Sequence, residues 1–192
     1  MPKADSIPEP WQSFFKAIEG SITEEVALHC LGGFVVTMLY GLQRTTSDVD
    51  VLTVAPFQQL NAVLKLAGRG SMLHKRSGLY LDYVTIATIP EEYEERLREM
   101  FPEAFPRLRL FACDPYDIAL SKLERNIQRD RDDVKYLARV VPFNLELLKD
   151  RYEKELRPNL GNPHREDLTL KLWIEAIEEE RNAQKNKFGD RG

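Results

Sequence analysis

The sequence predicts an α/β (α+β) fold, in which a small mixed sheet with flanking helices precedes a C-terminal helical region. Up to about residue 113, short β-branched segments alternate with segments whose apolar residues recur at helical spacing. From Asp114, a natural helix cap followed by Pro115, the pattern is helical throughout. We therefore expect two domains, residues 1–113 and 114–192, with the second completing a cleft.

The composition is that of an ordinary globular protein, with 43% hydrophobic and 30% charged residues in a chain of 192. A net charge of -4 argues against a protein whose whole surface binds nucleic acid. No segment approaches the roughly 20 apolar residues of a membrane span, and the first residues lack a signal-peptide core. A cytoplasmic location without membrane contact is therefore expected, with Cys30 and Cys113 reduced and structural.

The first domain is expected to alternate helices and strands. The helices should be residues 10–19, residues 34–42 with Gly41 as the stop, and a segment that begins near Pro56. The strands should be residues 24–30, 49–54 and 107–113.

Two further expectations concern the middle of the chain. Ser77 and Gly78 separate two strand-like segments, residues 72–75 and 79–87, which predicts an antiparallel hairpin. Residues 91–100 are rich in charge and predict a helix.

The helical region should contain a helix or helix pair up to about residue 141, where Pro142 breaks it. Further helices are expected over residues 143–156 and 165–182, with a loose polar tail over residues 183–192.

The most informative motif is Asp48-Val49-Asp50, at the start of the predicted strand of residues 49–54. Side chains alternate along a strand, so both carboxylates face one way while Val49 and Val51 face the core. Two close carboxylates repel unless a cation lies between them, and oxygen ligands suit Mg²⁺. The alternative is that Asp48 is a turn residue and Asp50 faces solvent on an edge strand, because a lone D-x-D motif is common.

Glycines upstream favour the metal interpretation. Gly32 and Gly33 follow an apolar strand, where a backbone can approach a phosphate closely, and the next helix offers its N-terminal amides to an anion.

Together, Gly32-Gly33, Arg44 and Ser47-Asp48-Val49-Asp50 resemble the signature of the polymerase-beta-like nucleotidyltransferase superfamily. The resemblance implies a nucleotidyltransferase fold, in which the glycine pair contacts a triphosphate and the two aspartates bind catalytic metal. The spacing is also similar to that of the tRNA nucleotidyltransferases that add the CCA end. That subgroup has an arginine and an aspartate soon after the second glycine, where this chain has residues 35–37, Val-Val-Thr.

Asp82 is the candidate for a third carboxylate, which two-metal nucleotidyl transfer requires. It is the single charged residue in residues 78–89, and a buried carboxylate without compensation is costly. A metal shared with Asp48 and Asp50 would compensate its charge. Alternatively, Asp82 faces water on an edge strand or pairs with Lys75 or Arg76 across the hairpin.

A basic segment follows in the helical region. Ile118, Lys122, Arg125 and Arg129 fall near one helical stripe, which would lay a basic face along the cleft. The alternative is a solvated surface with weak ion pairs.

Ser121-Lys122-Leu123, Arg125-Asn126 and Arg129-Asp130 with Asp133 resemble the closing motif of abortive-infection type nucleotidyltransferase toxins and their bacterial relatives. The resemblance implies that Lys122 binds nucleotide phosphates and that Asp130 belongs to the active site. It also implies a toxin–antitoxin pair and therefore a cognate antitoxin. Where those toxins often have serine, this chain has Gly33.

The predicted function is therefore Mg²⁺-dependent transfer of a nucleoside monophosphate from a nucleoside triphosphate (NTP), with two ions expected. Asp48, Asp50 and Asp82 would form the catalytic metal site. The predicted nucleotide-binding residues are Gly32, Gly33, Arg44, Ser47, Lys122 and Asp130. The acceptor would be a tRNA 3′ end or a protein hydroxyl. The alternative function is a catalytically silent member that binds a nucleotide or a partner protein.

Overall fold

The computed structural model describes residues 7–85 and 88–189, with side chains up to residue 182. The chain divides into two compact units. The first comprises the described part of residues 1–87 together with Tyr93–Asp114. The second comprises Thr88–Glu92 and the described residues from Pro115 onward.

The first unit contains a five-stranded mixed sheet, which confirms the predicted fold class. Its order is β3-β2-β1-β5-β4. Strand β1 pairs antiparallel with β2 and parallel with β5, β2 pairs parallel with β3, and β4 pairs antiparallel with β5. The strands are β1 (Val26–Leu31), β2 (Asp48–Ala55), β3 (Tyr80–Tyr83), β4 (Arg98–Met100) and β5 (Leu108–Ala112).

The described residues of the first unit form four helices: α1 (Trp11–Glu19), α2 (Gly32–Tyr40), α3 (Leu60–Ala67) and α4 (Met72–Ser77). Helix α1 buries Trp11, Phe14 and Phe15, as its helical spacing predicted. The Trp11 ring lies 4.7 Å from that of Phe34 on α2, so aromatic packing joins the two helices. Helix α2 ends at Gly41, whose φ of 75° makes the predicted left-handed cap.

The predicted hairpin at Ser77 and Gly78 is wrong. Residues 72–77 form α4, and β3 runs parallel to β2 rather than antiparallel to a neighbour in sequence. The Ser71 side chain accepts a hydrogen bond from the His74 amide at 3.0 Å, and Gly78 ends the helix with a φ of 76°. Serine and left-handed glycine occur both in turns and at helix ends, and here they cap a helix.

The predicted helix over residues 91–100 is also wrong. A 3-10 turn at Tyr93–Arg96 leads into β4. Met100 is buried and pairs with Leu110, while Arg109 of β5 donates two hydrogen bonds to Glu99 at 2.9 and 2.8 Å. Sheet pairing and the burial of one apolar residue outweigh the helix propensity of the glutamates and arginines.

The second unit is helical, as predicted. Its helices are α5 (Pro115–Leu120), α6 (Gln128–Val140), α7 (Leu145–Arg151) and α8 (His164–Gly189), with a π-helical turn at Tyr152–Leu156 after α7. Helix α8 extends through most of the expected loose tail, so that expectation was wrong up to residue 189. None of the helices in the described ranges has both the length and the apolar character needed to cross a membrane.

Candidate functional site

Three carboxylates of the first unit converge at one place on the sheet. Asp48 and Asp50 lie on β2 with Val49 and Val51 fully buried between and after them, as the alternation predicted. Asp50 is opposite Asp82 on the parallel strand β3. One oxygen from each of the three aspartates lies within 4.8 Å of the others. The structure thus brings together the three predicted metal-binding residues.

Gly32 fixes one side of this cluster. It begins α2 with a φ of +75°, and a Cβ atom placed there would lie 1.9 Å from Oδ2 of Asp50. A side chain at this position would therefore occupy the space of the Asp50 carboxylate. The glycine allows both the left-handed backbone and the close approach.

The arrangement fits a divalent cation that prefers oxygen ligands. Two oxygens that bind one Mg²⁺ at about 2.1 Å lie at most about 4.2 Å apart. Small side-chain rotations bring oxygens that lie within 4.8 Å of one another into this range. All three aspartates are partly exposed, so phosphate and water can complete the coordination shell.

Two further side chains hold Asp48 in place. Thr46 is buried and donates a hydrogen bond from Oγ1 to Oδ1 of Asp48 at 2.9 Å. The Tyr80 hydroxyl donates to Oδ2 of the same carboxylate at 3.4 Å. Asp48 is therefore positioned through both of its oxygens, as a metal ligand must be.

Arg69 lies beside Asp82. Its Nη2 atom is 3.4 Å from Oδ2 of Asp82, and it also donates to the Tyr80 hydroxyl. Asp82 lies on the edge strand β3, as the alternative prediction expected. Its ion-pair partner is Arg69, whereas that prediction named Lys75 or Arg76.

Burial and the negative charge of the cluster together raise the pKa of two neighbouring groups. Burial, and then the charge of Asp48, raise the pKa of Tyr80, so its hydroxyl stays protonated as a donor. Burial, and then the charge of Asp50, raise the pKa of the Cys30 thiol. Cys30 and Cys113 are both buried, and neither takes part in a disulfide within the described residues.

The structure places the other predicted site residues in two groups. Gly33, Arg44 and Ser47 belong to the first unit, with Gly33 in the first turn of α2 and the other two in the segment between α2 and β2. Ser47 is exposed and directly precedes Asp48. Lys122 and Asp130 belong to the second unit.

The predicted basic stripe through Lys122 is interrupted. Helix α5 ends at Leu120, Lys122 lies in the turn that follows, and Arg129 belongs to α6. A positive φ of 43° at Asn126 separates the two helices. The four residues therefore do not share one continuous helix face.

Lys122, Asp130 and Asp133 instead form a buried charged cluster, which the exposed Arg125 contacts from its surface side. The Lys122 amine lies 3.0 Å from Asp133 and 3.4 Å from Asp130, and both carboxylates are almost fully buried. Arg125 donates two hydrogen bonds to Asp130 at 2.9 and 2.6 Å. Burial alone would raise the pKa of Asp130, but the Arg125 hydrogen bond and the charges of Lys122 and Arg125 lower it. Nucleotide binding by Lys122 and Asp130 stays a prediction.

Comparison with known proteins identifies the family. A family model described as "Nucleotidyltransferase of unknown function (DUF6036)" matches residues 15–181 of the chain. The chain belongs to this family. No curated protein and no solved structure matches the chain significantly.

Membership in a nucleotidyltransferase family agrees with the superfamily that the glycine and aspartate motifs resemble. The match covers both units, including all three aspartates of the cluster and the Lys122 cluster. The mixed sheet with Asp48 and Asp50 on β2 is consistent with a nucleotidyltransferase-like α+β fold.

Sequence reasoning missed three residues around the carboxylates: Thr46, Arg69 and Tyr80. Tyr80 carried a signal, because it lies two positions before Asp82 on a strand and strand periodicity places both on one face. Thr46 and Arg69 lie outside the strands, so no periodicity pointed to them.

Proposed function

We propose that this protein transfers a nucleoside monophosphate from an NTP to a hydroxyl group, in a reaction that requires Mg²⁺. The observation that carries the proposal is the convergence of Asp48, Asp50 and Asp82 against the backbone of Gly32. A cluster of three acids alone is common on protein surfaces. Its position at the start of a helix, in a chain of a nucleotidyltransferase family, supports the assignment to phosphate chemistry.

Different residues would bind the metal and the phosphates. Asp48 and Asp50, together with one oxygen of Asp82, would hold the metal, which supplies positive charge against the triphosphate. The first amides of α2, at Gly32 and Gly33, would donate hydrogen bonds to phosphate oxygens, since no side chain caps this helix. The exposed Ser47 hydroxyl and Arg44 would add further contacts.

Asp82 completes the proposed reaction as the base. The acceptor hydroxyl oxygen attacks the α-phosphorus, its proton passes to the Asp82 carboxylate, and the bond from the α-phosphorus to the leaving pyrophosphate breaks. A half-exposed carboxylate on an edge strand is open to an incoming acceptor. The acceptor in this proposal is the 3′ end of a tRNA or a protein hydroxyl in the cytoplasm.

The proposal extends to a biological role as the toxin of a toxin–antitoxin pair. The similarity of residues 121–133 to the closing motif of abortive-infection type toxins supports this part of the proposal. Modification of an essential RNA or protein would arrest growth, and a cognate antitoxin would prevent the arrest.

Asp50→Asn is the most direct test, because it removes one charge while keeping the shape of the side chain. Calorimetry with Mg²⁺ and a non-hydrolysable NTP should show loss of metal-dependent binding in this variant. Asp132→Asn, on the exposed side of α6, is the matched control and should bind like the wild type. Metal-dependent NTP binding that survives in Asp50→Asn would refute the metal site.

Transfer and toxicity can be measured on the same variants. Labelled NTPs incubated with bacterial RNA or protein should label one acceptor class with the wild type and neither with Asp50→Asn. Expression in bacteria should slow growth in the wild type and not in Asp48→Asn. Equal growth arrest by both proteins would exclude an enzymatic toxin.

A further inference from the structure

Arg69 is held at the carboxylate cluster in two independent ways. Its guanidinium lies over the ring of Tyr80, with Cζ 4.3 Å from the ring centroid, and it donates to the Tyr80 hydroxyl. It also forms an ion pair with Asp82 at 3.4 Å. If the ion pair breaks, the contact with the ring still keeps the guanidinium beside the site.

The ion pair and a bound metal compete for the same carboxylate. Asp82 contributes one of the three oxygens that lie within 4.8 Å of one another, and its Oδ2 atom is also the acceptor for Arg69. The side chains of Arg69 and Asp82 are 65% and 43% exposed. Exposed ion pairs are weak, so a divalent cation held by three carboxylates can replace the guanidinium.

We propose that Arg69 stays ion-paired with Asp82 until the metal binds to this carboxylate. Arg69 then contacts the phosphates of the metal-bound nucleotide. This inference rests on the proposed function. A metal on Asp82 neutralises the partner of Arg69, and the triphosphate that binds the metal brings new negative charge next to the released guanidinium. The planar donors of arginine suit phosphate oxygens, and the Tyr80 ring restricts where those donors point.

Titration with Mn²⁺ alone, followed by electron paramagnetic resonance, tests the first half of the proposal. Arg69→Gln should bind Mn²⁺ more tightly than the wild type, by about two- to fivefold, because a weak competitor is gone. Arg76→Gln removes the same charge from the exposed part of α4 and should change the affinity less. Equal effects of the two substitutions would overturn the proposal.

A double-mutant cycle shows whether Arg69 acts through Asp82. In an Asp82→Asn background, Arg69→Gln should no longer increase Mn²⁺ affinity. An undiminished increase in that background would mean that Arg69 acts only through general electrostatics, and the proposed exchange would be wrong.

Binding of a non-hydrolysable NTP in the presence of Mn²⁺ tests the second half. Arg69→Gln should weaken this binding by roughly tenfold or more, since it removes a charge-assisted contact, and Arg69→Lys should retain part of it. Unchanged NTP affinity in Arg69→Gln would overturn the phosphate contact. Failure of the wild type to bind Mn²⁺ would refute the proposed function itself. If Asp50→Asn loses Mn²⁺ binding but Arg69→Gln leaves Mn²⁺ affinity unchanged, this inference alone would be refuted.

Discussion

Replacing Gly32 with alanine should abolish metal binding while leaving the protein folded. The new Cβ would lie 1.9 Å from Oδ2 of Asp50, and real Cβ contacts essentially never fall below 3.0 Å. The carboxylate oxygen must therefore move by about 1.1 Å, which is several times the tolerance of about 0.2 Å for metal-ligand distances. The left-handed backbone should add a stability loss of about 1 to 2 kcal/mol.

Gly78→Ala is the matched control, because it separates the backbone strain from the displaced carboxylate. Gly78 has a φ of +76°, almost the same as Gly32, and a Cβ there would meet nothing within 4 Å. Both variants should lose similar stability in urea denaturation, but only Gly32→Ala should lose Mn²⁺ binding. Normal Mn²⁺ affinity in a folded Gly32→Ala variant would refute the argument that Gly32 positions Asp50.

Two further predictions concern other charged groups. Lys122→Met should lower the free energy of unfolding by about 3 to 5 kcal/mol, because it removes the buried amine that pairs with two buried carboxylates, whereas Lys135→Met should cost under about 1 kcal/mol. Urea denaturation checks this, and a stable Lys122→Met protein with weakened NTP binding would favour the phosphate role instead. Burial lowers the pKa of His29, and the charge of Glu94 opposes this shift in part. The neutral imidazole therefore stabilises the fold at pH values above its pKa in the unfolded chain, about 6.5. That contribution should be lost as the pH falls through the lower folded pKa, and urea denaturation of His29→Phe over this pH range should show a flatter dependence than the wild type.

The carboxylate site was predictable because its main signals are local. Alternation along one strand placed Asp48 and Asp50 on the same face, and buried Val49 and Val51 confirm it. Asp82 followed from being the single charge in an apolar segment. The glycine at position 32 was expected to approach a phosphate, and the structure adds that it also makes room for Asp50.

The errors arose where one residue type serves two structures. Gly78 has the same left-handed backbone at the end of α4 that a hairpin turn would require, so composition could not separate the two. Lys122 was placed on a helix by spacing, but α5 ends at Leu120. The Lys122 side chain is held by ion pairs with Asp130 and Asp133. These are tertiary contacts, which helical spacing cannot predict.

The strand order has a consequence for the growing chain on the ribosome. Strand β1 lies in the centre of the sheet, between β2 and β5. These two neighbours are synthesised at very different times, because β2 follows β1 closely in the chain whereas β5 is formed by Leu108–Ala112. At 5 to 20 residues per second, one edge of β1 waits on the order of ten seconds for its parallel partner. During that interval the apolar edge at Val26, Leu28 and Cys30 is open to pairing with other chains. Chaperone binding should therefore peak before β5 leaves the ribosome.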